Sequence, residues 1–241
     1  MAKDEHPRVG SADGSGAMFD RIAGRYDLLN RINSLGQDRA WRRRTIALLD
    51  LQPDDRLLDL ATGTGDLLLE VGEMAPGVDS VGLDPSARML EFARGKLVQA
   101  GLRDVKLIEG DARALPFERY SFTAVTMAFG IRNVPERASV LSEAYRVLGP
   151  GGRVAILELS EPRLGVMSSM ARVYIRTVVP LLGRVISGAD AYRYLSRSIE
   201  AFPAPSDFAE EIRKAGFTEV TYEMFMFGAC VLFMGTKEVE S

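Results

Sequence analysis

Histidine, cysteine and tryptophan each occur once in this 241-residue chain, and the first two scarcities exclude chemistry. His6 lies in a polar N-terminal stretch, so the body of the chain has no histidine. Ser-His-Asp hydrolysis, His-ligated zinc and a histidine general base are excluded unless that stretch folds back over a site. Cys230 alone rules out an internal disulfide and a Cys-cluster metal site, and no metal is expected. No apolar run reaches the ~18 residues of a membrane span, and the opening MAKDEHPRVG has no signal-peptide core. A cytoplasmic protein is expected. With 30 Lys plus Arg against 33 Asp plus Glu, no excess of positive charge is present, and no nucleic-acid partner is expected. At 46% hydrophobic residues the chain can fill a sizeable core.

Residues 1–17, rich in Gly, Ser and Asp, are expected to be a flexible leader, and 18–241 a single domain. Phe19, Ile22, Tyr26 and Leu29 recur at spacings of three and four, which predicts a helical N-terminal cover over residues 18–51. Short apolar runs then alternate with amphipathic segments. Strands are predicted at Arg56–Ala61, Ser80–Asp84, Val105–Glu109, Phe122–Ala128, Arg153–Leu159, Glu219–Phe225 and Ala229–Gly235. Helices are predicted at Asp66–Met74, Ser86–Ala100, Pro135–Leu148 and 206–215. The repeated strand–helix order predicts an α/β fold with a seven-stranded, mostly parallel, doubly wound sheet. Residues 163–204 interrupt that order as an insertion before the last two strands.

The first strand ends in LLDLATGTGDLLLE, residues 57–70. Gly63 and Gly65 let the backbone turn sharply ahead of a helix N-terminus and approach a ligand closely. The dinucleotide fingerprint requires a third small residue, but Leu68 stands there, which disfavours a nicotinamide cofactor. Asp59, just before the glycines, suits a ligand with an ammonium group better than one with phosphates. Asp84 follows Gly65 by 19 residues at the end of the second strand, where a carboxylate can accept both ribose hydroxyls. Asp111 ends the third strand on the same edge, placed to read an adenine. Together the three acids describe a site for an adenosine with an amino-acid tail.

On these motifs the chain resembles the ubiquinone/menaquinone biosynthesis C-methyltransferases, from about Met18 to Gly235. LLDLATGTGD, VGLDPSARML, GDARALPF and RVLGPGGRVAILE are shared with many methyltransferases. The specific blocks are FDRIAGRYDLLNRINSLGQDRAWRRR, FGIRNV (129–134) and DAYRYLSRSIEAFP (190–203). The resemblance implies a Rossmann-like class I methyltransferase fold. It implies S-adenosylmethionine as cofactor, S-adenosylhomocysteine as product, and cofactor contacts at Thr64, Asp84, Asp111 and Ala112. Two positions depart from the pattern: Asp38 stands where the front block usually has histidine, and Ala128 where some members have serine.

The implied reaction is C-methylation of a prenylated demethylquinol, demethylmenaquinol first, with a benzoquinol precursor of ubiquinone left open. The alternatives are an O- or N-methyltransferase of another small molecule and a non-catalytic cofactor-binding scaffold. The acceptor is expected over the carboxyl edge of the sheet, under the N-terminal helices and a lid formed by 163–204. Within 163–197, six arginines (163, 172, 176, 184, 193 and 197) face one acid, Asp190; Arg39, Arg42, Arg43 and Arg44 form a second basic cluster. Both are expected to favour peripheral contact with anionic lipid at the inner face of a membrane; an oligomer stays open. A ring carbon becomes nucleophilic once a neighbouring hydroxyl ionises. Arg132 is therefore expected to stabilise the quinolate, Asn133 and Tyr26 to hydrogen-bond the ring oxygens, and water to take the proton.

Overall fold

The computed structural model describes residues 31, 34–161 and 189–239, of which 189–193 are described in backbone only. Seven strands form one sheet: β1 (Arg56–Leu60), β2 (Asp79–Asp84), β3 (Lys106–Glu109), β4 (Phe122–Ala128), β5 (Leu148–Leu159), β6 (Thr218–Phe225) and β7 (Cys230–Thr236). Their spatial order is β3-β2-β1-β4-β5-β7-β6. Parallel pairing runs from β3 to β5, and β7 alone lies antiparallel to its neighbours β5 and β6. Six helices accompany the sheet: α1 (Asp38–Leu49), α2 (Asp66–Met74), α3 (Ala87–Gln99), α4 (Arg137–Val147), α5 (Ala189–Ala201) and α6 (Pro205–Lys214). The sheet is the expected one.

Alternation along the strands divides the core in two. Leu58, Leu60, Val125, Met127 and Ile156 pack with Val140 and Leu141 of α4 and Phe208 and Ile212 of α6. Leu57, Ala124, Ala155 and Leu157 pack with Trp41 and Ile46 of α1, Leu67 and Val71 of α2, and Leu97 of α3. Because both faces are covered, the central strands read as nearly continuous apolar runs. A polar residue on such a strand is therefore conspicuous. Asp59 and Thr126, 2% and 0% exposed, are the two that matter below.

Two boundaries differ from expectation. α4 begins at Arg137 rather than Pro135, because a short 3-10 turn at Ile131–Asn133 and an extended Val134 occupy the approach to it. β5 begins at Leu148 rather than Arg153, since Leu148 already pairs with Phe122 before an irregularity in the ladder. The leader, most of the N-terminal cover with Tyr26, and residues 162–188 of the insertion lie outside the described residues. Among the described residues, no helix is long and apolar enough to cross a membrane.

Candidate active site

The chain leaves β1 through Ala61, which adopts a left-handed conformation (φ 49°), and turns at Gly63 (φ 56°) and Gly65 (φ 80°) into α2. Backbone bonds fix the turn: Thr62 N–H donates to the Leu83 carbonyl (3.1 Å) and Gly65 N–H to the Thr62 carbonyl (2.9 Å). A Cβ on Gly65 would lie 3.2 Å from the Ala93 Cβ of α3, so this glycine is needed for helix packing as well as for its positive φ. Leu68 explains why the third glycine of a dinucleotide loop is missing. It is buried against Gly82 of β2, where a Cβ would fall 2.8 Å from the Leu68 Cδ1. The strand, not the helix, supplies the space for close packing.

Side chains brace this loop from below and from the side. The Asp59 carboxylate accepts hydrogen bonds from Thr62 Oγ1 (2.6 Å) and Thr126 Oγ1 (2.8 Å). Asp84, 6% exposed at the end of β2, accepts the Gly63 N–H (2.8 Å) on one oxygen and the Ser86 N–H (2.9 Å) on the other. A carboxylate offers about four acceptor directions, so Asp84 can hold the loop and receive ligand hydroxyls together. Thr64 and Ala112 are both buried, and Lys96 Nζ donates to Thr64 Oγ1 (3.2 Å). Asp111 is turned toward Arg113, whose Nε and Nη2 approach its carboxylate at 2.7–3.1 Å. That guanidinium holds the Asp111 carboxyl below the usual carboxylate range. The parallel registers bring the ends of β1, β2 and β3 to one edge. An adenosine bearing an amino-acid group fits these residues: a turn without side chains at a helix N-terminus, flanked by carboxylates at neighbouring strand ends.

Burial pushes the Asp59 carboxyl up to about 6, against the opposing hydrogen bonds from Thr62 and Thr126. The folded value lies above the unfolded one, so the folded protein binds the extra proton between pH ~4 and ~6 and loses stability as pH rises through that window. The ionised carboxylate costs about 3 kcal/mol at pH 7. Asp59→Asn keeps the threonine partners, whose hydroxyls can donate or accept. It is expected to remove this loss. Urea unfolding at pH 4 and 7 should show wild type falling relative to the variant; parallel behaviour at both pH values would refute the assignment.

The sheet reverses its winding between β1 and β4, and such a switch point opens a crevice at the carboxyl ends of the strands. Backbone strain concentrates there, with Phe129 at φ 59° opposite Ala61. Gly130 packs so closely that a Cβ would lie 2.7 Å from that of Ala61. The 3-10 turn that follows carries Arg132 and Asn133. Arg132 is 5% exposed in its side chain and pairs with the fully buried Glu158 of β5 at 2.5 Å. Its Nη1 also donates to the Phe129 carbonyl (2.7 Å), and its N–H donates to Glu158 Oε2 (3.1 Å). Asn133 Nδ2 reaches the same carbonyl at 3.4 Å, while its Oδ1 is buried without a hydrogen-bond partner. Arg132 and Asn133 thus sit together beside the crevice.

The second basic cluster is neutralised within the protein. Arg39 and Arg43 each bridge Glu70 and Glu73, Arg44 meets Glu223, and Arg42 lies between Asp38 and Asp66. Strong carboxylate pairing leaves no basic surface patch on α1. Of the insertion's arginines, 163, 172, 176 and 184 and the side chain of 193 lie outside the described residues. Two acids escaped the reading of the sequence: Glu158, which resembles any polar residue at a strand end, and Asp38, whose spacing of four from Arg42 was the available signal. Among the described residues no group of side chains could hold a metal ion.

A Rossmann-like seven-stranded sheet with one reversed strand, and this glycine loop at its switch point, define a class I S-adenosylmethionine-dependent methyltransferase. The chain belongs to the ubiE/COQ5 methyltransferase family, whose sequence pattern matches residues 8–237. It is 48% identical over 221 residues to a demethylmenaquinone methyltransferase of Thermus thermophilus, covering 91% of this chain and all of that one. It is 43% identical to one of Deinococcus radiodurans, over 98% of this chain and all of that protein. A ubiquinone/menaquinone biosynthesis C-methyltransferase UbiE of Syntrophotalea carbinolica is 42% identical, over 92% of this chain and 93% of its own. Among solved structures, a methyltransferase of Aquifex aeolicus shares the fold at TM-score 0.63 and 15% identity, over 87% of this chain and 97% of that one.

Proposed function

We propose that this methyltransferase transfers the methyl group to a ring carbon of a prenylated demethylquinol, with demethylmenaquinol as its substrate. The observation that carries this reading is the full-length likeness to relatives named demethylmenaquinone methyltransferase. The FGIRNV loop beside the switch-point crevice supports it. Bound S-adenosylmethionine supplies an electrophilic methyl on its sulfonium. The chain's own residues do the rest. The turn at Gly63 and Gly65, with Thr64 and Ala112, receives the cofactor against backbone; Asp84 takes the ribose hydroxyls, Asp111 the adenine side, and Asp59 stiffens the loop beneath. Proximity and orientation of this kind are worth about 7–11 kcal/mol in favourable cases.

On the acceptor side, a ring carbon attacks only after a neighbouring hydroxyl ionises. Arg132 stabilises that oxyanion, while Asn133, whose buried carbonyl oxygen has no protein partner, takes a ring hydroxyl together with Tyr26. Water carries the proton away, because the body of the chain offers no histidine. The quinone form has no hydroxyl to ionise, and its ring is electrophilic. Turnover should therefore require a reductant such as dithionite and rise with pH as the quinolate fraction grows. Equal turnover of oxidised and reduced acceptor would refute the reading. Access to so apolar a substrate implies work at a lipid surface, served by the arginine-rich insertion. With acceptor in anionic vesicles, added salt should lower turnover, whereas in neutral detergent it should not.

A further inference from the structure

We infer that Arg42 is a positioning residue that couples the glycine loop to the FGIRNV loop, acting through Asp66 and Phe129. The inference rests on the reading of those loops given above. Arg42 is 5% exposed on α1, and its guanidinium touches three segments far apart in sequence. Nη1 donates to Asp38 Oδ2 at 2.6 Å on its own helix, and Ser34 Oγ holds the other Asp38 oxygen at 2.9 Å. Nη2 faces Asp66 Oδ2 at 3.4 Å, and Asp66 is the first residue of α2, directly after Gly65. The cationic plane stands 5.3 Å from the centre of the Phe129 ring.

Each of these contacts continues into the site. The Asp66 carboxylate is also paired with Lys96, whose Nζ donates to Thr64 Oγ1 in the glycine loop at 3.2 Å. The Phe129 carbonyl accepts from Arg132 Nη1 at 2.7 Å, and the Phe129 N–H donates to the Leu157 carbonyl at 2.8 Å. Phe129 has little freedom to move, since its backbone is left-handed and its side chain 5% exposed. A shift of the α2 N-terminus that accompanies cofactor binding therefore pulls on Arg42, and Arg42 bears on the ring that holds Arg132. Arginine suits this place because one planar group can hydrogen-bond two carboxylates at its edges and lie against an aromatic ring. A lysine at this position could meet one acid at a time.

A merely structural ion pair would change stability alone, whereas coupling changes what the cofactor does at a distance. The test is amide hydrogen exchange of the full chain with and without S-adenosylmethionine, alongside steady-state kinetics. Wild type should gain protection at 63–67 and also at 129–134. The double variant Asp38→Asn/Arg42→Met removes both buried charges together, so it should fold and still protect 63–67. It should lose the added protection at 129–134, and kcat should fall by ~10- to 100-fold, as for a small misplacement in a positioned site. Arg42→Lys should recover part of both. Wild-type exchange at 129–134 together with wild-type kcat in the double variant would overturn the coupling. No protection at 63–67 in wild type would overturn the glycine-loop reading, and the coupling with it.

Discussion

Arg132→Ala is expected to lower turnover by roughly 10²–10³, the usual cost of removing one donor aimed at a developing oxyanion. The structure adds a second effect. Glu158 is fully buried, and Arg132 supplies the charge that balances it. Breaking a buried pair from one side costs about 3–5 kcal/mol, because the remaining charge is left in a poorly solvating place. The Leu159 N–H at 2.7 Å and the N–H of residue 132 would still reach Glu158, which softens the loss without removing it. The single variant therefore confuses catalysis with folding. Arg132→Met with Glu158→Gln removes both charges and should restore most of the stability while leaving turnover low. Arg132→Lys should recover only part of the rate, since an ammonium cannot reproduce the planar fork. Urea unfolding and single-turnover rates at saturating cofactor separate the two effects. Full turnover in a folded double variant would leave Arg132 with a structural role only.

The second large effect belongs to Asp84. Hydrogen bonds to a charged group contribute about 1.5–3 kcal/mol each, so loss of two to the ribose should weaken S-adenosylmethionine binding by ~10²–10⁴ in Asp84→Ala. The same carboxylate holds the Gly63 and Ser86 N–H groups, so the glycine loop itself loosens in this variant. Asp84→Asn keeps an acceptor and should fall between the two. Asp111→Ala should cost less, because that carboxylate is already engaged by Arg113. Isothermal titration of the three variants gives the order directly. Unchanged affinity in Asp84→Ala would remove the ribose assignment.

These residues show where sequence is informative about this protein and where it is silent. The strands and most helix ends were legible because apolar runs, a capping Ser86 and a proline at the start of α6 are local signals. The α4 start was misplaced by two residues because Pro135 reads as a first-turn residue, while the turn at Ile131–Asn133 is set by packing against β5. The acids at 59, 84 and 111 could be placed at strand ends, but their partners could not. Thr126 lies 67 residues from Asp59, and Glu158 lies 26 from Arg132. Such pairs exist only once the sheet has formed. The run Arg39–Arg44 misled for the same reason. Four basic residues look like a surface patch until the carboxylates of α2 and β6 come to meet them.

The central claim is C-methylation of a reduced, prenylated ring, and one measurement addresses it most directly. Purified protein is given S-adenosylmethionine carrying a deuterated methyl group and dithionite-reduced demethylmenaquinol, and the product is resolved by mass and by ring-position NMR. A single deuterated methyl on a ring carbon, absent when the acceptor is kept oxidised, is the predicted result. A deuterated methyl on oxygen, or the same yield from the quinone, would contradict the account.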